Sequence, residues 1–322
     1  MKRLLLLLTM KPSILVGGQA VIEGVMMRVP GAYSTAVRDP KGKLRLKRKK
    51  FTSITQSSIF WSKPIFRGIA SLYEAMKMGM STLQWSADIS YPEESNDDSN
   101  VSKFLDTLTT FISISLAILL FMVLPMWLTT QLLDIEKDAI LFNLSSGAFR
   151  ILFFIIYLFL ISRINDVSRL FQYHGAEHKV VYNFESGKDI SIKNAQSFST
   201  LHPRCGTSFM FIVLLSAIFV FAVVDTITIY FFGKISLSIR LLSHLPLIPL
   251  VSGVGYEIIK ITSKSESMIF RILKKPGILL QNITTKEPDD KMVEVSIAAI
   301  KDAFGDEYEI FRGKQFTAEA IE

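Results

Sequence analysis

The sequence predicts an α-helical integral membrane protein with four transmembrane helices, a small cytosolic α+β N-terminal region and a cytosolic helical C-terminal tail. Three observations predict this class. The chain of 322 residues is 49% hydrophobic with 24 Phe, and its mean hydropathy of +0.36 is high for a water-soluble protein. Four long apolar runs interrupt the sequence. Lys and Arg are concentrated in only some of the segments between those runs.

The four apolar runs are the predicted spans, and a span needs about 20 apolar residues. They are Thr107–Leu133, Ala148–Ile164, Ser208–Val224 and Leu241–Tyr256. The first run is uncharged, and the third stays apolar to Phe232 after Asp225. The second and fourth are shorter. We therefore expect Arg150 and Arg163 to extend toward the membrane surfaces, and local distortion to make up the length.

The distribution of basic residues predicts the orientation. Stretch 41–50 is strongly basic and precedes the first span, and Lys and Arg also follow the second and fourth spans. The link 134–147 has one Lys, and the link between spans three and four has Lys234, with Arg240 flanking the fourth span. Because excess Lys and Arg marks the cytosolic side, we expect both termini in the cytosol and the spans in a bacterial inner (plasma) membrane.

The net charge limits the kinds of partner that the protein could bind, and the cysteine content indicates the compartment. The formal net charge of +7 fits contact with lipid headgroups, and no module for nucleic acid is visible. The expected partner is therefore the lipid bilayer, with no specific nucleic acid. The single cysteine excludes an internal disulfide and fits a reducing compartment.

The region 13–88 predicts a β-hairpin followed by an amphipathic helix. Ala32–Arg38 and Leu44–Phe51 are extended runs on either side of a turn at 39–43. Apolar residues recur at helical spacing through 64–88. We expect this helix either to lie along the membrane surface or to pack on the cytosolic domain.

Changes in amino-acid composition predict the boundaries of the linker, the four-span domain and the C-terminal tail. Residues 89–103 are polar and acidic and predict a linker. The four-span domain occupies 104–261 and includes a cytosolic His/Cys loop, 165–206. The tail 262–322 contains an amphipathic helix that opens at Pro288-Asp289-Asp290. The apolar run in the first ten residues is too short for a signal peptide, so we expect a short extension there.

The chemistry of the chain is concentrated in the His/Cys loop. His174 and His178 are four residues apart, so on a helix both rings project from one face. The order H-x-x-E-H, with Glu177, is that of inverted zincins, in which the Glu is the general base. His202 and Cys205 follow at a spacing that lets a turn present two ligands, and Gly206 would permit a tight backbone there.

These four residues predict a metal site, and imidazole with thiolate favours zinc among divalent transition metals. The alternative is solvated or core histidines. If all four residues bind the metal, the site is closed and structural. If only three bind, an open position can hold water and the site is catalytic. Glu177 is then the general base, or a hydrogen-bond partner of a ligand His.

Four further segments carry candidate residues. Glu23 is either part of an internal ion pair or an extra metal ligand. Arg28 is either structural or a binder of an anionic substrate group. Glu257 is either an interface residue or the residue that completes the metal site. Asp225 and His244 lie toward the outer ends of spans three and four and are either functional or hydrated there, and Pro246 and Pro249 interrupt span four.

Several longer motifs resemble one bacterial family. They are the N-terminal run 17–28 (GGQAVIEGVMMR), the central run 173–179 (YHGAEHK), the run 202–207 (HPRCGT), Tyr256-Glu257 and the tail run 281–290 (QNITTKEPDD). Together they are similar to the membrane family called domain of unknown function 1385. The resemblance covers nearly the whole chain and implies a predicted metal-dependent membrane enzyme without a named substrate.

The leading hypothesis is a zinc-dependent hydrolase at the cytosolic face of the membrane, acting on a membrane-associated substrate. His174, His178 and either His202 or Cys205 would bind the metal, and Glu177 would be catalytic. The alternative is a non-enzymatic scaffold or assembly factor with a structural zinc. A third hypothesis is a small transporter that uses Asp225, His244 and the interrupted fourth span.

Overall fold

Our computed structural model describes residues 16–92, 100–203, 205–233, 235–263 and 268–316. The short extension expected at the N-terminus and residues 93–99 of the expected linker lie outside these ranges. The described chain is mostly helical and carries one small antiparallel sheet near its N-terminus.

The sheet has four strands in the order β1 (Gly17–Val21), β2 (Gly24–Val29), β3 (Ala32–Arg38) and β4 (Leu44–Lys50). The predicted hairpin is the β3–β4 pair. Strands β1 and β2 were not predicted individually, because β2 is buried on both faces and shows no polar alternation. Val25 and Met27 face one core, while Met26 contacts the cluster that contains Met78 on the other side.

Helices make up the rest of the described chain. They are α1 (Ile54–Ser57), α2 (Phe66–Ser90), α3 (Asn100–Ile118), α4 (Leu124–Leu132), α5 (Ala139–Ile161), α6 (Asn165–Glu185), α7 (Ile192–Gln196), α8 (Gly206–Phe232), α9 (Leu237–His244), α10 (Ile248–Ser263), α11 (Met268–Thr284), α12 (Asp290–Phe304) and α13 (Tyr308–Phe311). A π-helical segment, Leu119–Val123, joins α3 to α4, and Leu245–Leu247 is a 3₁₀ turn between α9 and α10. Prolines lie at both junctions, at Pro125 and Pro246, and each lacks the N–H that a regular helix needs.

Among the described residues, four helical segments are long and apolar enough to cross a membrane: Thr107–Leu132, Ala139–Ile161, Phe209–Phe232 and Leu237–Ile261. The second and fourth are longer than the sequence predicted. In the second, Asn143, Ser146 and Arg150 lower the local hydropathy, but all three are buried inside the helical bundle. The polar residues that shortened the predicted second span therefore lie on the inward face of an otherwise apolar helix.

Two expectations about charged residues in these helices are corrected. Arg150 does not extend toward a membrane surface, because it is 5% exposed and lies near the middle of α5. Asp225 and His244 are not hydrated at an outer interface, because both are fully buried and bonded to each other. These side chains face one another across helices, an arrangement that residue spacing alone does not reveal.

The main core of the N- and C-terminal regions joins the sheet to α6 and α12. Val25, Met27 and Ala36 of the sheet pack with Tyr173 of α6 and Ile300 of α12 in one buried cluster. Helix α12 begins where the sequence predicted, because the Asp289 carboxylate accepts a hydrogen bond from the N–H of Met292. The core fixes α6, and therefore the His-containing face, against β1.

Helix α2 links this core to the apolar helices. Glu74 and Met78 lie on its buried face, whereas Met76 and Met80 are 60% and 66% exposed on the other. Near its start, α2 meets α10 where two glycines face each other. A Cβ on Gly68 would lie 2.9 Å from the Cα of Gly253, so only small residues permit this approach. One face of α2 thus packs on the protein, and the other is exposed.

Candidate metal centre

Three ligand atoms converge between α6 and the start of α8. His174, His178 and Cys205 each offer an atom that lies within 4.8 Å of the other two. The Nε2 atom of His174 is 3.1 Å from the Sγ atom of Cys205, and the two imidazole centroids are 4.4 Å apart. The structure therefore brings together three of the four residues that the sequence selected as metal ligands.

The hydrogen bonds of both histidines suit a metal. Nδ1 of His174 lies 2.8 Å from the carbonyl oxygen of Thr284, and Nδ1 of His178 bonds the carbonyl oxygen of Thr200. Since a carbonyl only accepts, each Nδ1 carries the hydrogen and each Nε2 keeps a lone pair. Metal-bound histidines typically donate their second N–H to such a group. The two rings are thus held in the tautomer that binds a metal.

Cys205 lies at the N-cap of α8. Its sulfur accepts from the N–H and hydroxyl of Thr207, at 3.5 Å and 3.3 Å. The following Gly206 is the first residue of the helix, and a Cβ there would meet nothing within 4 Å. The expectation that this position needs glycine for a tight turn is therefore corrected. The backbone is already helical, and the helix start alone aims the thiol at the histidines.

Burial and the neighbouring groups set the charge of the site. Burial lowers the pKa of His178 below its ordinary value of 6.5, and the hydrogen bond with Cys205 opposes that shift. His178 is therefore neutral near pH 7, which is the form that binds metals. Two imidazoles and one thiol form a ligand set that favours zinc. These three donors would leave one position of a tetrahedral ion to another ligand.

Glu177 lies beside the three ligands but outside their group. Its side chain is 6% exposed, and a Cβ on Gly18 would lie 3.1 Å from its Cδ atom. Burial raises the pKa of Glu177, while the charges of His174 and His202 and a backbone hydrogen bond from Gly18 lower it. A carboxylate with a raised pKa is a stronger base, which suits proton transfer near neutrality.

His202 lies in the wall of the site but not in the group of three. Its Nε2 atom is 3.6 Å from an oxygen of Glu185, and its ring centroid is 5.6 Å from that of His178. Burial lowers the pKa of His202 to about 4, opposed by Glu177. The predicted pairing with Cys205 in one turn is not realised, because the imidazole of His202 turns toward Tyr182 and Glu185.

Two of the additional candidate ligands form ion pairs elsewhere. Glu23, at the turn between β1 and β2, is bound by the guanidinium of Arg169 and by the hydroxyl of Tyr173. Glu257 forms a two-pronged pair with Arg67, at 2.7 Å and 2.5 Å. Neither carboxylate belongs to the group of three, and each forms an ion pair with an arginine instead, so both additional ligand assignments are corrected.

A cavity of about 340 Å³ opens at the group of three. Its lining includes His174, His178, Cys205 and Glu177 on one side and the small and apolar residues of α2 on the other. Arg28 of β2 also lines it, with its guanidinium 4.4 Å from the ring centroid of Phe51. Burial lowers the pKa of Arg28, and the charge of Glu74 opposes that shift. The cavity thus combines three metal-type ligands, one acid and one cation.

The segment 281–286 supports the site and was missed as functional. The Gln281 amide accepts from the N–H of His202 at 2.7 Å and donates to its carbonyl at 2.8 Å. The carbonyl of Thr284 orients His174, and the N–H of Lys286 bonds the carbonyl of Phe171. Apart from the single basic residue Lys286, no charge distinguishes this segment in the sequence. The only signal was their membership of a motif that resembles the family.

A substitution at Gly175 tests whether the segment 281–286 supports the metal centre. A Cβ at Gly175 would lie 2.1 Å from the carbonyl oxygen of Lys286, so Gly175→Ala must separate α6 from the segment that orients His174. We expect Gly175→Ala to destabilise the fold by about 1–3 kcal/mol and to weaken metal binding. Thermal unfolding and metal analysis measure both effects. The matched change Gly206→Ala, which meets no atom, should alter neither, and equal behaviour of the two variants would contradict this packing.

In the described part of the chain, four apolar helices and a mostly buried His–His–Cys group beside a carboxylate define a membrane-type helical protein with a candidate metal centre. The chain belongs to the family described as "Protein of unknown function (DUF1385)", whose sequence model matches residues 63–306. It is 31% identical over 304 residues to "Uncharacterized protein YqhQ" of Bacillus subtilis (strain 168), covering 89% of this chain and 91% of that protein. No solved structure matches. The resemblance found in the motifs is confirmed.

Proposed function

We propose that the chain is a metal-dependent hydrolase at the cytosolic face of the bacterial inner membrane. The observation that carries this proposal is the three-ligand group of His174, His178 and Cys205 with Glu177 beside it, at one wall of a single cavity. Catalytic zinc sites use three protein ligands and keep the fourth position open, whereas structural sites use four.

In the proposed hydrolysis, the metal ion and the protein side chains have different roles. A zinc ion held by the three ligands would supply Lewis acidity and make water at the site more acidic. The Glu177 carboxylate would accept a proton from water in the cavity and pass it to the leaving group. Its hydrogen bond from the Gly18 N–H holds the carboxylate in place. Because its pKa is raised, turnover should rise with pH as Glu177 loses its proton in the folded protein.

The cavity supports a membrane-associated substrate with an anionic group. Phe209, in the first turn of α8, and Tyr256, five residues before the end of the apolar segment Leu237–Ile261, both line it, so it lies toward one end of two apolar helices. Those ends are on the side that carries the excess of Lys and Arg, which favours the cytosolic side and cytosolic termini. Arg28 offers the positive charge for a phosphate or carboxylate.

The change Glu177→Gln tests the catalytic role. We expect the variant to keep its metal and lose about 100- to 10,000-fold of turnover, because the amide cannot accept the proton. Purified protein in detergent can be assayed with a nitrophenyl ester and a nitrophenyl phosphodiester, with and without a chelator. The control is Glu307→Gln, an exposed carboxylate in the turn that follows α12.

Two outcomes would contradict the proposal. One is Glu177→Gln protein that turns over the probe at the wild-type rate. The other is a wild type with bound metal and no turnover of any ester, amide or phosphodiester probe. In that case the three ligands, which join α6 to the start of α8, would form a structural centre in a scaffold or assembly factor.

A further inference from the structure

A second buried polar cluster lies inside the apolar helices, away from the metal centre. Asp225 of α8 is its hub: one carboxylate oxygen is 2.9 Å from Nε2 of His244, and the other accepts from the amide of Asn143 at 2.8 Å. Nε of Arg240 is 3.2 Å from the second oxygen. Arg240 also donates to the carbonyl of Glu136 at 2.8 Å. One carboxylate thus gathers groups from α5 and α9.

A second guanidinium enters this cluster without an acceptor. Arg150 is 5% exposed and near enough to Asp225 for their charges to interact. Its Nε and Nη2 atoms are buried and have no hydrogen-bond partner among the described residues. The guanidinium lies 5.3 Å from the ring centroid of Phe221. A ring face attracts the cation but does not accept the in-plane N–H groups of Arg, so these donors still need an acceptor.

Ser146 lies one helical turn before Arg150, on the same face of α5. Its hydroxyl is buried and also lacks a partner in the described part of the chain. The cluster therefore offers the hydroxyl of Ser146 and two N–H groups of Arg150. Its charges are also unevenly compensated: Asp225 and Glu136 both act on Arg240, whereas Asp225 is the one carboxylate of the described residues that acts on Arg150, and it is already paired with Arg240 and His244.

Uncompensated positive charge is costly inside a protein and more so inside a bilayer. Water can satisfy N–H and O–H donors, but it cannot neutralise the second guanidinium. An anion does both. Ser146, Arg150 and Asp225 are each at most 5% exposed, so a ligand among them is enclosed and must be small.

We propose that the helical bundle binds a small inorganic anion, of halide size, at Arg150 and Ser146 beside the Asp225 cluster. The site is separate from the metal centre and does not depend on the hydrolase proposal. Asp225 neutralises Arg240, and the bound anion neutralises Arg150. The Asp225 and His244 pair is then part of the scaffold of an anion site.

The test uses the full chain in detergent, with chloride exchanged for gluconate at constant ionic strength. We expect chloride to raise the melting temperature of the wild type by about 5 °C, as binding to the native state alone predicts. Arg150→Gln should lose this response. The matched control is Arg163→Gln, since Arg163 also lies over an aromatic ring, that of Phe159 at 4.5 Å, but is exposed. It should keep the response.

Three results would overturn the anion site. The first is a wild type whose melting temperature is the same in chloride, bromide, nitrate, phosphate and gluconate. The second is an Arg150→Gln variant with the full chloride response. If Arg150→Gln does not fold, chlorine-35 NMR of the wild type decides: line broadening that bromide reverses supports the site, and its absence is the third contrary result. Adding a chelator should change none of these readings, which separates the site from the metal centre.

Discussion

Asp225→Ala is expected to lower the melting temperature of the purified protein by about 10 °C. The substitution removes the acceptor of Asn143 and His244 and the carboxylate that pairs with Arg240, which is 1% exposed. Breaking a buried ion pair by removing one partner costs about 3–5 kcal/mol, because the remaining charge stays buried. Thermal unfolding in detergent, followed by intrinsic fluorescence, measures the effect.

Asp134→Ala is the matched control for this experiment. Asp134 is an exposed carboxylate in the link between α4 and α5, and its loss should leave the melting temperature nearly unchanged. An Asp225→Ala protein that melts with the wild type would contradict the buried cluster. It would mean that water reaches these side chains, as the hydrated arrangement expected from the sequence would require.

The second large effect concerns the metal content. His178→Ala and Cys205→Ala are each expected to reduce bound zinc from about one ion per chain to a small fraction, because two remaining ligands hold zinc weakly. Elemental analysis after gel filtration in detergent measures the ratio. Circular dichroism of the same samples shows whether the helices persist, which separates loss of metal from loss of fold.

His202→Ala is the informative comparison for the metal experiment. Its imidazole lies in the cavity wall and points toward Glu185, outside the group of three. We expect His202→Ala to keep its zinc, with some loss of stability from the buried space it leaves. If His202→Ala also loses the ion, four ligands close the centre, and the structural alternative replaces the hydrolase.

The sequence predicts the parts of the fold that one-dimensional patterns encode. Four apolar runs predicted four long apolar helices, and the alternation and turn residues around 39–43 predicted the β3–β4 hairpin. It did not predict the ends of the second and fourth apolar helices. Polar and charged residues such as Asn143 and Arg150 are unfavourable in a transmembrane helix when the helix is considered alone. In the structure, Asp225 of α8 accepts a hydrogen bond from Asn143 and opposes the charge of Arg150. Pairing of that kind depends on contacts between helices, and no single helix reveals it.

The candidate site likewise has one part that the sequence predicted and one part that it did not. The separation of His174 and His178 by four residues predicted that both would share a helical face, because that relation is local. The choice between His202 and Cys205 was not local. It depends on how Gln281 fixes the backbone of His202 and on where α8 begins. The sequence does not show that Glu23 pairs with Arg169 or that Glu257 pairs with Arg67, because the partners are far apart along the chain. Both carboxylates therefore looked like possible metal ligands.

The central claim is that His174, His178 and Cys205 hold one ion and leave it an open position. X-ray absorption at the zinc edge of the purified wild type tests it most directly. We predict one sulfur at about 2.3 Å and three nitrogen or oxygen neighbours at about 2.0–2.1 Å, one of them exchangeable for a small inhibitor anion. A protein without metal, a spectrum without sulfur, or a closed shell that no added ligand alters would contradict it.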